Sequence, residues 1–315
     1  MKIFQQKKII IFRNGIKVET DWTEYCWLRD WFSDLRKLSL KIEKVNGEYR
    51  IWRSSPRFDY SASSLKNAHF FYHFVLLMGS RGWKIDQIGG SLFSAKKQED
   101  IYTIRKHKEN LFYTESAKIK MISPLDSLIV FFNESEIYEC DCTDKTVLDV
   151  GGYCGETAVF FWSRGAKKSI VYEPVLVHHE FIRKNVQLSG IKAELHEEGI
   201  GKDDGTIAIN YDYANQEFGL LSEGKSQSEI RIRNVTDAII ESKADIAKFD
   251  CEGAETSLVD LSNEALSKIG YYIIETHTRD IRKAIIEKFE KAGFRMARSP
   301  KEVTNGVSVL CFEKA

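Results

Sequence analysis

Val147-Leu148-Asp149-Val150-Gly151-Gly152-Tyr153-Cys154-Gly155-Glu156-Thr157 is the stretch that decides how this 315-residue chain folds. Its apolar start, Thr146–Val150, has the length and lack of alternation expected of a central strand in a parallel sheet, covered on both faces. Gly151, Gly152 and Gly155 permit positive φ and predict a close approach of a ligand to the backbone. Ala158-Val159-Phe160-Phe161-Trp162 then predicts a helix, stopped by Gly165.

The glycines read G-G-x-x-G, not the G-x-G-x-x-G of a dinucleotide turn, and Glu156 stands where a phosphate would rest on the helix N-terminus. No Lys-Ser or Lys-Thr pair follows, which excludes a P-loop. Asp149 and Glu156 together favour a cofactor that is cationic or neutral where it meets the turn, and the sulfonium and ammonium of S-adenosylmethionine fit that requirement. Ile170-Val171-Tyr172-Glu173-Pro174 predicts a second short buried strand. Its terminal acid, Glu173, is placed to accept hydrogen bonds from both ribose hydroxyls of an adenosine.

A third landmark is Ala247-Lys248-Phe249-Asp250-Cys251-Glu252-Gly253-Ala254-Glu255, a strand ending in K-x-D-x-E-G-x-E. With the first two it resembles the FkbM-type S-adenosylmethionine-dependent methyltransferases, over roughly residues 130–315. The resemblance implies an α/β, Rossmann-like class I methyltransferase sheet of seven strands, mostly parallel with an antiparallel last strand. It also implies S-adenosyl-L-methionine as cofactor and methylation of hydroxyl groups on sugars, glycolipids or small natural products. The cofactor-binding positions it marks are Asp149, Gly151, Gly152, Tyr153, Gly155, Glu156, Thr157, Glu173 and Pro174. Gly199 and Ile200, just after the third strand, are expected to flank the adenine. Two departures stand out: Gly152-Tyr153 replaces the family's usual alanine and asparagine, and the N-terminal extension is long.

Methyl transfer from a sulfonium is an in-line displacement, so the protein must align donor and acceptor and, for an alcohol, manage a proton. Asp250, Glu252 and His277 are the catalytic candidates, and the ordinary pKa of histidine suits His277 best as a base. Asp250, Glu252 and Glu275 are also hard oxygen ligands for a divalent cation, but two strand tips with three acids assign no metal. No N/D-P-P-Y/F tetrapeptide follows the fourth strand, which argues against methylation of an exocyclic amine.

Composition sets the outer bounds. At 43% hydrophobic and 12% aromatic residues the chain is globular, and its length suggests two units, placed here at 1–110 and 111–315. Its six cysteines contain no C-x-x-C pair, a pattern of reduced thiols in a cytoplasmic protein rather than of zinc or disulfides. The apolar run Ile9–Phe12 is too short for a signal peptide, and Phe70–Met78 is half a bilayer span and reads as a buried helix. Net charge is zero, yet residues 1–105 hold 19 Lys and Arg against 11 Asp and Glu. That excess points to an anionic, phosphate-bearing acceptor at the N-terminal unit, with RNA as the rival partner. Three function classes therefore stand: an O-methyltransferase acting on a small-molecule or glycan acceptor, an RNA methyltransferase, and a non-catalytic binding protein on the same fold.

Along the N-terminal unit, Ile9–Phe12 and Ile16–Val18 around Asn14-Gly15 predict a hairpin, and Asp21 caps an aromatic helix to Leu35. Leu38–Ile42 and Tyr49–Trp52 around Asn46-Gly47 predict a second hairpin, with Ile42 opposite Ile51. Ser61–Met78 reads as a helix, Trp83–Ile85 and Ser91–Phe93 as strands, and the charged residues 95–110 as a solvated boundary, making a small α+β domain. In the second unit, Ile207–Tyr211 and Ile230–Val235 predict a hairpin carrying a mobile lid, Asn215–Ser228.

Overall fold

The computed structural model describes residues 8–11, 17–20, 41–53, 58–63, 65–108, 111–212, 217–219, 226–304 and 306–315. The chain divides into two compact units, Met1–Ser116 and Ala117–Ala315.

In the first unit, β1 (Lys8–Ile11) and β2 (Lys17–Thr20) pair antiparallel, Ile10 opposite Val18. The Asn14-Gly15 turn and the helix expected from Asp21 lie outside the described residues. β3 (Lys41–Val45) and β4 (Glu48–Arg53) place Ile42 opposite Ile51, both buried, across Asn46-Gly47 with φ of 51° and 87°. Two positive φ values in a two-residue loop match the right-handed twist of the flanking strands.

Two expectations are corrected here. The helix expected from Ser61 begins later: Phe58–Ala62 is β5, paired with β4, and α1 runs Leu65–Ser80. Phe58, Tyr60 and Ala62 alternate into the core, a period of two that outweighs the helix formers after them. α1 then buries Phe71, Tyr72, Phe74 and Met78, with the Phe71 ring stacked 4.2 Å from Tyr60 and 5.1 Å from Phe112. The charged residues 95–110 are not a solvated boundary. β6 (Lys84–Gly89), β7 (Leu92–Lys97), β8 (Asp100–Lys108) and β9 (Leu111–Glu115) form an antiparallel meander through them. Tyr102 and Ile104 alternate inward while Arg105, His107 and Lys108 are exposed, so a one-face pattern is hidden by its polar half.

The second unit begins with β10 (Lys120–Pro124) and α2 (Leu125–Ile137). β11 (Thr146–Val150), α3 (Glu156–Ser163), β12 (Lys168–Tyr172), α4 (Leu176–Ser189) and β13 (Ala193–His196) then wind one half of a parallel sheet. A smaller sheet follows: β14 (Gly199–Gly201), β15 (Gly205–Asp212), β16 (Glu217–Gly219) and β17 (Ser226–Asn234). β15 and β17 make the expected hairpin, and β14 adds in parallel to β17. Most of the expected lid, residues 215–216 and 220–225, lies outside the described residues. α5 (Val235–Ser242), capped by the Asn234 side chain, returns the chain to β18 (Ile246–Phe249), a 3-10 turn at Ala254–Asp260 and α6 (Asn263–Leu266). β19 (Tyr271–Thr276), α7 (Arg279–Lys291), β20 (Phe294–Met296), β21 (Lys301–Thr304) and β22 (Val307–Lys314) close it.

The main sheet has the order β13-β12-β11-β18-β19-β22-β20, with β21 also on β22. The first five strands run parallel and β22 antiparallel to both β19 and β20. This is a Rossmann-like, mostly parallel sheet that reverses its direction of winding between β11 and β18. Its core is aromatic, with Phe289 of α7 4.9 Å from Tyr272 and 4.6 Å from Phe312. Each such fully buried ring contributes about 1.5–3 kcal/mol. The buried Asn185 of α4 fixes the turn to its surroundings, accepting from Ile122 N–H at 2.7 Å and donating to the carbonyls of Ile122 and Cys154.

The glycines of the turn answer to packing. A Cβ on Gly151 would sit 1.7 Å from the Asp250 carbonyl oxygen, and one on Gly152 would sit 2.2 Å from Val171 Cγ1. Gly151→Ala is therefore expected to cost about 3 kcal/mol or more, through overlap added to a φ of +83°. Gly190→Ala, left-handed but with nothing within 4 Å, isolates the backbone penalty of about 1–2 kcal/mol. Urea midpoints of the two variants measure the difference; equal losses would refute the packing account.

Candidate active site

The carboxyl ends of β11, β12 and β18 meet where the winding reverses, the position at which open α/β sheets bind ligands. A cavity of about 340 Å³ lies there, entirely within the second unit. Of the residues singled out from sequence, Gly151, Tyr153, Glu156, Thr157, Glu173, Pro174, Gly199, Ile200, Asp250 and Glu252 line it. Asp149, Gly152, Gly155 and His277 do not.

Asp149 is fully buried beneath the turn. Its neighbour is Lys248, whose ammonium lies 3.3 Å from Asp149 Oδ1, donates to the Gly151 carbonyl at 2.7 Å and stands 3.8 Å from Asp250 Oδ2. Burial pushes the Asp149 carboxyl up, Lys248 opposes it, and the balance is about 6. Asp149 thus supports the turn from below. Gly152 and Gly155 pack the turn on Val171 and Ile182.

Glu173 does reach the cavity, but its carboxylate is engaged. Oε2 accepts from Tyr153 N–H at 2.8 Å; Oε1 accepts from Val175 N–H at 2.9 Å and lies 3.0 Å from His178 Nδ1. Tyr153 reaches it from a left-handed backbone, φ +42°, which costs a non-glycine residue about 1–2 kcal/mol. Val175, Ile200, Ile207, Ile230 and Ile232 add an aliphatic lining.

The tip of β18 is shaped by Glu255, which accepts from the N–H groups of Cys251 and Gly253, each at 2.8 Å. That clamp holds Glu252 at φ +53° and Gly253 at φ +107°. His277 packs behind it, Nδ1 3.2 Å from Glu255 Oε1 and Nε2 3.5 Å from Glu252 Oε2, 3.7 Å from Asp250 Oδ1 and 4.0 Å from Glu275 Oε1. Burial alone would lower the imidazole, but Glu255, Glu252 and Asp250 outweigh it and raise it to about 9. Among these acids His277 holds its proton more tightly than an ordinary histidine. Ligand atoms of Asp250, Glu252 and His277 fall within 4.8 Å of one another, close enough for the three to hold a metal ion. Glu252 is held above the usual carboxylate range, chiefly by burial, and Glu275 is raised to about 7 by burial and by Asp250. Tyr138 Oη lies 3.3 Å from both Asp250 Oδ2 and Glu275 Oε2.

Sequence reading overlooked Lys248, Tyr138, His178 and the clamp role of Glu255. Lys248 left a signal, being the one charge in the otherwise apolar Ile246–Phe249. His178 and Tyr138 left none, since a histidine early in a helix and a tyrosine after one are ordinary.

No family model matches the chain, and no curated protein matches it. Among solved structures it is similar to a Pyrococcus horikoshii protein described as an RNA methyltransferase, at 14% identity over 61% of this chain and 85% of that one, TM-score 0.38. A Bacillus subtilis tRNA methyltransferase matches at 13% over 57% of this chain and 64% of that one, TM-score 0.38. The precorrin-6y C5,15-methyltransferase of Geobacter metallireducens matches at 14% over 64% and 93%, TM-score 0.36.

Asp149, Glu275 and His277 all hold their protons more tightly when folded than their ordinary values allow. Their stabilisation is full at low pH and is lost as pH rises through about 6, 7 and 9 in turn. Glu255, held low by His277 and by Cys251 N–H against the opposing effect of burial, acts in the reverse sense, losing its share as pH falls. In His277→Gln the loss between pH 6.5 and about 9 is expected to disappear, a change on the order of 3 kcal/mol at most. Melting temperature against pH measures it, and a decline unchanged in the variant would contradict the assignment.

Proposed function

We propose that the second unit is an S-adenosylmethionine-dependent methyltransferase of the FkbM type, acting on a hydroxyl oxygen of a sugar, glycolipid or small natural product. The observation that carries this reading is the charge of the cavity wall. Glu156, Glu173, Asp250 and Glu252 face it, against the single ammonium of Lys248. Such a wall repels the pyrophosphate of a dinucleotide and attracts a sulfonium and an ammonium. A volume of about 340 Å³ lined by an acid and aliphatic residues suits an adenosyl group.

When bound, S-adenosylmethionine supplies an electrophilic methyl group. Glu173 and the aliphatic wall would hold the nucleoside, and Glu156 and the Gly151 turn the charged end. The remaining chemistry belongs to the tip of β18. As the new carbon–oxygen bond forms and the carbon–sulfur bond breaks, the acceptor hydroxyl must lose its proton. Glu252, at the cavity edge and more basic than an ordinary carboxylate, is placed to take it. His277, as a cation 3.5 Å from Glu252, orients that carboxylate.

A second reading, transfer to RNA, is favoured by the excess of Lys and Arg over Asp and Glu, 19 against 11, in residues 1–105. Binding to a polyanion that weakens steeply with salt would separate it from the first.

Titration calorimetry tests the cofactor site. S-adenosylmethionine is expected to bind, and Glu173→Ala to weaken it about tenfold or more by removing the acceptor. Absence of binding leaves only a non-catalytic protein on this fold. Radiolabelled methyl transfer into cell extract separated into RNA, lipid and glycan pools tests the acceptor; label confined to RNA would overturn the hydroxyl-acceptor reading on sugars and small molecules.

A further inference from the structure

We infer that Asp250, Glu252 and His277 bind a divalent transition-metal cation at the edge of the cavity, a site that does not depend on the cofactor reading. The donors come from two strand tips. β18 and β19 run parallel with Phe249 opposite Ile274, so Asp250 and Glu252 after one strand emerge beside His277 after the other. Glu252 and Gly253, both at positive φ, turn the chain back at once and keep the two carboxylates near the imidazole. The spacing is that of ligands around an ion. His277 Nε2 lies 3.5 Å from Glu252 Oε2 and 3.7 Å from Asp250 Oδ1, and one donor atom from each of the three falls within 4.8 Å of the others. A direct N–H···O bond closes to about 2.7–3.2 Å. Ligands held at about 2.1 Å from a metal, with angles of about 90–120°, stand roughly 3.0–3.6 Å from one another. A cation among the three therefore needs little movement of any of them.

The imidazole is also supported as a metal-binding one is. Its other nitrogen, Nδ1, lies 3.2 Å from Oε1 of Glu255, which is fully buried and fixed by the N–H groups of Cys251 and Gly253. A carboxylate behind the ring sets its orientation and presents Nε2 to the ion. Glu275 Oε1, 4.0 Å from Nε2, stands one step back and adds negative charge without joining the set. Two carboxylates and an imidazole make a mixed oxygen and nitrogen set. That favours a first-row ion such as manganese over calcium or magnesium, which take oxygen ligands. As the ion binds, Nε2 releases its proton to solvent, and the metal takes over from the imidazolium the task of holding Glu252. Glu252 meets the ion through Oε2 and keeps its other oxygen for the proton of an acceptor hydroxyl. Three protein ligands leave part of the shell open, and Asp250 and Glu252 line the cavity, so an acceptor oxygen can complete it.

The test uses the full chain, freed of metal with a chelator, titrated with Mn²⁺ and followed by electron paramagnetic resonance. One Mn²⁺ per chain is expected to leave the free-ion spectrum. Spin-echo modulation from a directly bound ¹⁴N is expected to appear, and to change to the ¹⁵N pattern when the histidines carry ¹⁵N. His277→Phe is expected to lose that modulation and to bind Mn²⁺ about a hundredfold more weakly, and Glu255→Gln, which touches the ion only through the histidine, about tenfold more weakly. Failure of the unaltered protein to bind Mn²⁺ overturns the inference and makes the cluster a set of ion pairs alone. Bound Mn²⁺ without nitrogen modulation overturns it too, and that result needs no variant and is untouched by misfolding. Affinity unchanged in a folded His277→Phe is a third refutation. S-adenosylmethionine titrated into the same metal-free chain reports on the cofactor reading separately, so the two can fail independently.

Discussion

Lys248 is a lysine in the middle of a central strand, 1% exposed, and the site is built around it. Taking an ammonium out of water is costly unless it is paired and hydrogen-bonded, and here the carbonyl of Gly151 and the carboxylate of Asp149 do both. The ammonium in turn keeps Asp149, buried completely, from rising further than about 6. Because Gly151 belongs to the turn after β11 and Lys248 to β18, this contact locks the glycine turn to the neighbouring strand. The Asp250 carbonyl can then press on Gly151 where any Cβ would collide.

Two consequences run outward from that lock. On one side the turn is held so that Tyr153, in a left-handed backbone, directs its N–H to Glu173. On the other, the chain leaving β18 folds back at once, with Glu252 and Gly253 both at positive φ and Glu255 clamping the N–H groups of Cys251 and Gly253. Strained non-glycine residues tend to mark functional positions when the surroundings over-determine them. Tyr153 and Glu252 are such residues, and both face the cavity.

Charge is arranged in layers. The carboxylates of Glu156, Glu173, Asp250 and Glu252 line the cavity, while the cations that offset them, Lys248 and the raised His277, stand behind or beside the acids. A cavity built in this way stays receptive to a cationic ligand without leaving several carboxylates to repel one another unopposed. His277 illustrates why an ordinary pKa is a poor guide in such company. Among three acids, the imidazole holds its proton more tightly than it would alone.

The sequence by itself determined whatever depends on near neighbours in the chain. The apolar run before Gly151, the helix after it, the Ile42–Ile51 register across Asn46-Gly47 and the Thr278 cap of α7 follow from periods of 2 and 3.6 and from turn chemistry. So does the presence of acids at the tips of β12 and β18, because a strand's end is marked by its own residues. Where period and composition disagreed, as in the charged strands of residues 95–110, the local signal misled, since half of a one-face strand is solvent-facing. Only the tertiary structure decided what those acids touch. Asp149 and Lys248 are 99 positions apart, and Gly151 and Lys248 97, and no local pattern encodes the distance between them. That Asp149 lies under the turn and not in the cavity, that the glycines are required by the Asp250 carbonyl and Val171, and that Glu173 is already engaged by Tyr153, Val175 and His178 all arise when separate strands are packed about 4.8 Å apart. Local periodicity places a side chain on a face; only the neighbouring strand or helix says what that face meets.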